Sequence, residues 1–84
     1  MKYKIEIAQL VDYFVIVVKD KKAGDIVDTF TLNEVGADML KLFCDGKNLS
    51  AIVQEISDMY EAPIDQIDKD VKKFQIELNQ KGLL

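Results

Sequence analysis

The ten residues Phe30-Thr31-Leu32-Asn33-Glu34-Val35-Gly36-Ala37-Asp38-Met39 hold the point at which the chain changes its period. Before Asn33 the pattern is extended, and after it the apolar residues recur at helical spacing, with Asn33 suited to cap a first turn that begins with Glu34. Working back from there, Ile26-Val27-Asp28-Thr29-Phe30-Thr31 reads as a strand that pairs back on its predecessor and ends the sheet as an edge. Lys19 to Asp25 carries solvated charges and one glycine, Gly24, which suits a hairpin tip. Tyr13-Phe14-Val15-Ile16-Val17-Val18 is apolar at every position and rich in β-branched and aromatic residues. Such a run reads as a central strand covered on both faces, so Val15 and Val17 are both expected to be buried. At the start, Tyr3, Ile5 and Ile7 alternate with Lys2, Lys4 and Glu6, the period of a strand with one face on a core.

Working forward, Val35, Met39, Leu42 and Phe43 make the inward stripe of a first helix that runs to about Cys44. Asp45-Gly46-Lys47 stops it, because glycine takes the left-handed conformation found just past a helix end. Asn48 can cap a second helix with Leu49, Ile52, Val53, Ile56, Met59 and Tyr60 on its apolar face. Pro63 disfavours helical geometry at Ala62 and opens the third helix, in which Ile67, Val71, Phe74 and Leu78 point inward until Lys81-Gly82. Leu83 and Leu84 are expected to fold back onto the body. The order is three strands followed by three helices, an α+β fold in one unit spanning residues 1–84.

Composition narrows the function. With 84 residues, 49% hydrophobic and 31% charged, the chain suits one small globular core. Its longest apolar run, Tyr13 to Val18, is far short of the roughly 20 residues that span a bilayer, and Glu6 and Gln9 interrupt any signal-like start. No membrane association is expected, and the expected compartment is the cytoplasm. The single cysteine, Cys44, excludes an intrachain disulfide and a four-cysteine zinc site. There is no histidine and no arginine, so all positive charge rests on eleven lysines. Most nucleophile–base pairs and the usual nitrogen ligands of transition metals are thereby missing. A net charge of −4, without the planar fork that reads guanine and phosphate, argues against nucleic acid as a partner.

The remaining candidates favour binding over catalysis. Cys44 sits at a helix C-terminal end beside Asp45, a setting that does not activate a thiol, so its expected role is packing. Asp65, Asp68 and Asp70 spread around the third helix and answer its N-terminal dipole better than they would a metal ion. Asp45-Gly46-Lys47-Asn48 lacks the alternating acidic ligands of a calcium loop. The helices around Pro63, with a hairpin alongside, could form a DNA-binding winged helix, but the outward face of the third helix balances Asp65, Asp68, Asp70 and Glu77 against Lys69, Lys72, Lys73 and Lys81. Ile76 falls opposite the core stripe. With an edge strand and a helix beside it, the chain offers a place for a partner to bind.

From Phe30 to Leu84 an ordered series of residues carries a family resemblance. Leu32-Asn33-Glu34 followed by Gly36-Ala37, the Asp45-Gly46-Lys47 break, Ile52, Ile56, Tyr60, Asp70-Val71, Phe74, Leu78 and the Lys81-Gly82-Leu83-Leu84 ending resemble the PqqD family, the peptide chaperones also called RiPP recognition elements. The turn Glu61-Ala62-Pro63-Ile64 departs from the glycine and aspartate-proline usual there. The resemblance implies a winged-helix-like domain, a three-stranded antiparallel sheet followed by three helices, with no catalysis and no cofactor of its own. It implies that the leader of a ribosomally made precursor peptide adds as a strand between the third strand and the third helix, where the domain presents it to a modifying enzyme, a radical SAM maturase or a protease. The residues this assigns to the peptide are Ile26, Val27, Asp28, Thr29, Phe30 and Thr31 along the edge, with Asp70, Lys73, Phe74 and Glu77 on the helix. A winged-helix DNA-binding regulator and a structural subunit without a peptide ligand are the rival readings.

Overall fold

A computed structural model describes residues 2–84; Met1, included in the expected 1–84 unit, lies outside the described residues. Strands β1 (Tyr3–Gln9), β2 (Phe14–Asp20) and β3 (Ile26–Leu32) precede helices α1 (Glu34–Cys44), α2 (Leu49–Tyr60) and α3 (Ile64–Gln80). The sheet is antiparallel in the order β1-β2-β3, so β2 is central and β1 and β3 are edges.

The helices lie against one face of the sheet. Ile16 and Val18 of β2, at 0% and 1% exposure, join Met39, Leu40 and Phe43 of α1, Ile52, Val53 and Ile56 of α2, and Ile67, Val71, Phe74 and Leu78 of α3 in one core. Tyr3, Ile5 and Ile7 of β1 pack against its margin, and Leu83 closes it from the C-terminal end while Leu84 stays half-exposed. The expectation of two-sided burial for β2 is corrected here. Val15 and Val17 are only half-buried and stand apart from the core. No helix covers that face. What shields these two valines is their neighbours across the ladder: Ala8, Glu6, Thr29 and Thr31, with the Lys19–Glu6 ion pair at 3.2 Å.

Each element ends as its residues dictate. The β2–β3 hairpin is pinned by Asp20, whose Oδ1 accepts from the backbone N–H groups of Lys22 and Ala23 at 2.8 and 2.9 Å. Those bonds, the Ala23 one foremost, hold the carboxyl below the usual aspartate range. One feature of β3 is invisible in its pattern: the register shifts between Val18 and Lys19, which makes Val27 the extra residue of a bulge. Asn33 and Asn48 cap α1 and α2, accepting from Gly36 N–H and Ala51 N–H at 2.8 Å each. Ala37 and Leu40 prove to be core residues of α1, whereas Leu42 is only partly buried. On α2, Met59 is exposed rather than part of the apolar stripe. Tyr60 turns its hydroxyl to donate to Asp38 Oδ2 of α1, and burial together with that acceptor pushes the phenol well above its ordinary value. Pro63 is the N-cap residue of α3, and α2 is stopped by Glu61, whose φ of 49° is left-handed.

Two stability outcomes follow. Ile16→Ala should cost about 2–5 kcal/mol because its cavity opens in the sealed core, whereas Val17→Ala on the half-open face should cost about 1 kcal/mol or less. Urea unfolding of the two variants checks this, and equal costs would mean that the outer face is covered after all. Glu61→Gly should raise stability by up to about 1 kcal/mol, the left-handed strain of roughly 1–2 kcal/mol outweighing glycine's larger entropy loss. A lower midpoint for that variant would show that the Glu61 side chain contributes more than its backbone costs.

Candidate functional site

The site begins with the main chain of β3. At one end of β2, Leu10 N–H donates to Tyr13 C=O at 2.9 Å, so Tyr13 faces β1; at the other, Asp20 N–H donates to Asp25 C=O at 2.9 Å, so Asp20 faces the β3 side. Strand residues alternate in the side to which both backbone groups point. Both anchors therefore agree that Phe14, Ile16 and Val18 turn their backbone groups to β3, where they meet Leu32, Phe30 and Asp28. The backbone N–H and C=O of Thr29 and Thr31 are left on the open edge. Their side chains, paired opposite Val17 and Val15, are exposed on the outer face.

Beside this edge stands one flank of α3. Lys81, just past its end, reaches β3 twice: its Nζ lies 3.6 Å from Asp28 Oδ2 and 4.4 Å from the centre of the Phe30 ring. On an ideal helix Asp70, Lys73, Phe74 and Glu77 fall on the same flank as Lys81. All four line one pocket of about 230 Å³, whose other wall is Asn33, Val35, Gly36 and Met39 from the start of α1. The floor is apolar, built from the buried Met39 and Phe74, and Phe74 is braced by Phe43 with ring centres 6.1 Å apart. The rim is charged. Gln66 Nε2 donates to Asp70 Oδ1 at 3.0 Å, while among the described residues Lys73 and Glu77 have no ion-pair partner.

The structure thus brings Asp70, Lys73, Phe74 and Glu77 together, and sets Asp28 and Phe30 beside their helix through Lys81. Ile26 and Val27, both more than half exposed, lie at the far, hairpin end of β3 beyond this pocket. Sequence reasoning missed Asn33, Val35, Gly36 and Met39 as a wall, and it placed Lys81 on the outward face and at the end of the third helix without linking it to the third strand. The signal for the wall was the Asn33–Gly36 corner itself, since a cap and a glycine so close to an edge strand mark a tight approach. A second hollow, of about 480 Å³, lies on the opposite flank of α3 between Leu49, Ser50, Val53, Gln54, Ile64, Asp65 and Asp68; it adjoins no sheet edge. Cys44, expected to pack, is instead exposed at the end of α1 and lines neither; desolvation of the thiol together with Asp45 pushes its pKa up, away from the reactive thiolate. Among the described residues no helix is long and apolar enough to cross a membrane.

Comparison with known proteins agrees with this architecture. The structure is similar to that of TbiB1 in complex with the TbiA(beta) leader peptide, with a TM-score of 0.71 and 27% sequence identity, covering 100% of this chain and 94% of that one. No curated protein matches the chain. Residues 17–84, from the middle of β2 to the C-terminal residue, match the family described as coenzyme PQQ synthesis protein D, and the chain belongs to that PqqD family.

Proposed function

We propose that the chain binds the leader segment of a ribosomally made precursor peptide and presents the peptide to a modifying enzyme. The observation that carries this reading is the open edge at Thr29 and Thr31 with a half-apolar pocket beside it on α3. An extended peptide gains main-chain hydrogen bonds from such an edge, and its alternate side chains are sorted by the neighbouring wall. Support comes from the PqqD membership and from the similarity to TbiB1, whose structure contains a leader peptide. Ile26, Val27, Asp28, Thr29, Phe30 and Thr31 supply the edge, and Asp70, Lys73, Phe74 and Glu77 the wall, within a peptide-binding unit that takes in the whole chain. The chain itself breaks no bonds. Its one thiol is held up in pKa, and it lacks histidine, so the chemistry falls to the partner, a radical SAM maturase or a protease working in the cytoplasm.

Thr29 offers the direct test, because its N–H points away from β2. Thr29→Pro deletes that donor and leaves the β2–β3 ladder in place, while Thr29→Ala keeps the donor and trims a small exposed side chain. Calorimetry with the leader of a precursor encoded beside this chain should show Thr29→Pro weaker than Thr29→Ala by a few-fold to about a hundredfold, the range set by a lost hydrogen bond of about 0.5–1.5 kcal/mol and an unsatisfied partner of up to about 3. Circular dichroism must first show both variants folded. Equal affinities in folded proteins would rule out strand addition at this edge.

A further inference from the structure

The sheet has a second open edge, and its sequence is complementary to itself. The same alternation that leaves Thr29 free on β3 turns the backbone groups of Lys4, Glu6 and Ala8 toward β2 and leaves those of Tyr3, Ile5 and Ile7 on the free side of β1. Among the described residues no strand other than β2 pairs with β1. The side chains of Tyr3, Ile5 and Ile7 belong to the core face yet remain partly exposed, unlike the sealed Ile16 and Val18 beside them. The core is unfinished along this margin.

We propose that β1 pairs antiparallel with β1 of a second copy, making a continuous six-stranded sheet. This inference is independent of the peptide reading. With Ile5 opposite Ile5 of the second copy, Tyr3 meets Ile7 and Ile7 meets Tyr3, so the free N–H and C=O groups of these three residues face one another. A two-fold axis through the Ile5 pair keeps both core faces on one side, so the three partly exposed apolar residues of each copy cover those of the other. On the outer face Lys4 then stands directly opposite Glu6 of the second copy, twice. Moving the register by two residues would instead set Lys4 against Lys4 or Glu6 against Glu6, and moving it by one would turn the free backbone groups out of phase. Lysines usually guard an edge by meeting their like; here the favoured register gives each lysine a carboxylate. Glu6 is already held on this face by Lys19 at 3.2 Å and Lys4 at 3.6 Å, an arrangement that keeps its carboxyl below the ordinary range and charged. The two β3 edges end at opposite extremes of the joined sheet and stay open.

Charge exchange tests the register. Sedimentation of the unaltered protein from about 10 µM to about 1 mM should show reversible dimerisation, as befits a small edge-to-edge contact. Lys4→Glu alone, and Glu6→Lys alone, turn both cross-copy pairs repulsive and should each weaken the dimer by about tenfold or more. An equimolar mixture of the two variants restores both pairs and should dimerise as a heterodimer, and the doubly exchanged K4E/E6K protein should dimerise with itself. Circular dichroism on each variant confirms that the monomer fold is kept; in the double variant the carboxylate introduced at position 4 faces Lys19 directly across the ladder, so the fold is not at risk there. A monomer throughout the concentration range would overturn the proposal. So would single variants that dimerise as well as the unaltered protein, or a mixture and double variant that stay as weak as the singles.

Discussion

The corner between β3 and α1 sets the geometry on which the rest depends. A Cβ on Gly36 would come within 3.2 Å of Asn33 Oδ1 and 3.3 Å of Leu32 Cβ, so the chain turns from edge strand into helix with no spare room. Asn33 uses that closeness, since its side chain accepts from Gly36 N–H at 2.8 Å and starts α1 one residue past the strand. Because α1 departs at once, Val35, Gly36 and Met39 are brought against α3, and the pocket next to the β3 edge is their shared boundary. A looser corner would separate the edge from its wall. A peptide added at Thr29 and Thr31 would then keep its hydrogen bonds but lose the surface that tells one sequence from another.

Charge in this molecule positions surfaces and adds little to stability. Every ion pair among the described residues is at least partly exposed, and exposed pairs contribute about 0–1 kcal/mol each. Their placement matters more than their number. Lys81 holds the end of α3 to Asp28 and Phe30 at one end of the cleft, while the Tyr60–Asp38 bond ties α2 to α1. Between these ties, Asp70, Lys73 and Glu77 alternate in sign along one flank of a helix whose rise is about 1.5 Å per residue. A strand advancing about 6.6 Å for every second residue can match that alternation with its own charges.

How much of this could be read from the sequence depends on what each feature rests on. The element order was legible because period two gives way to period 3.6 at Asn33, and because Gly46, Asn48 and Pro63 mark their boundaries by backbone chemistry alone. The four wall residues of α3 came from a family resemblance, and the structure places them on one flank. Which flank faces the strand depends on the roll of α3 about its axis, a product of packing by Phe43, Phe74 and Leu78 that no local pattern encodes. Val15 and Val17 misled because β-branched residues favour strands wherever they lie, so an apolar run does not distinguish a covered face from one shielded by cross-strand neighbours. Glu61 was illegible for the opposite reason: the turn demands a left-handed residue, and the usual glycine is missing.

A three-stranded sheet has two edges for one central strand, and here the two have different chemistry. The free residues of β3 carry threonines outward and neighbour a charged wall; the free residues of β1 carry tyrosine and isoleucines inward against the core margin, and among the described residues no further strand lies beside them. An incoming strand at β3 is therefore chosen by contacts beyond the sheet, which suits a foreign sequence, whereas an incoming strand at β1 is chosen by the strand itself, which suits a copy. Central β2 keeps the two apart, since its alternate backbone groups are committed to one neighbour or the other and none is shared. Pairing at one edge therefore removes no donor or acceptor from the other. A coupling between the two edges would have to pass through the twist of the sheet or the seating of Ile16 and Val18 in the core, where both side chains are sealed at 0% and 1% exposure. The two edges are thus free to act as independent sites on one small sheet.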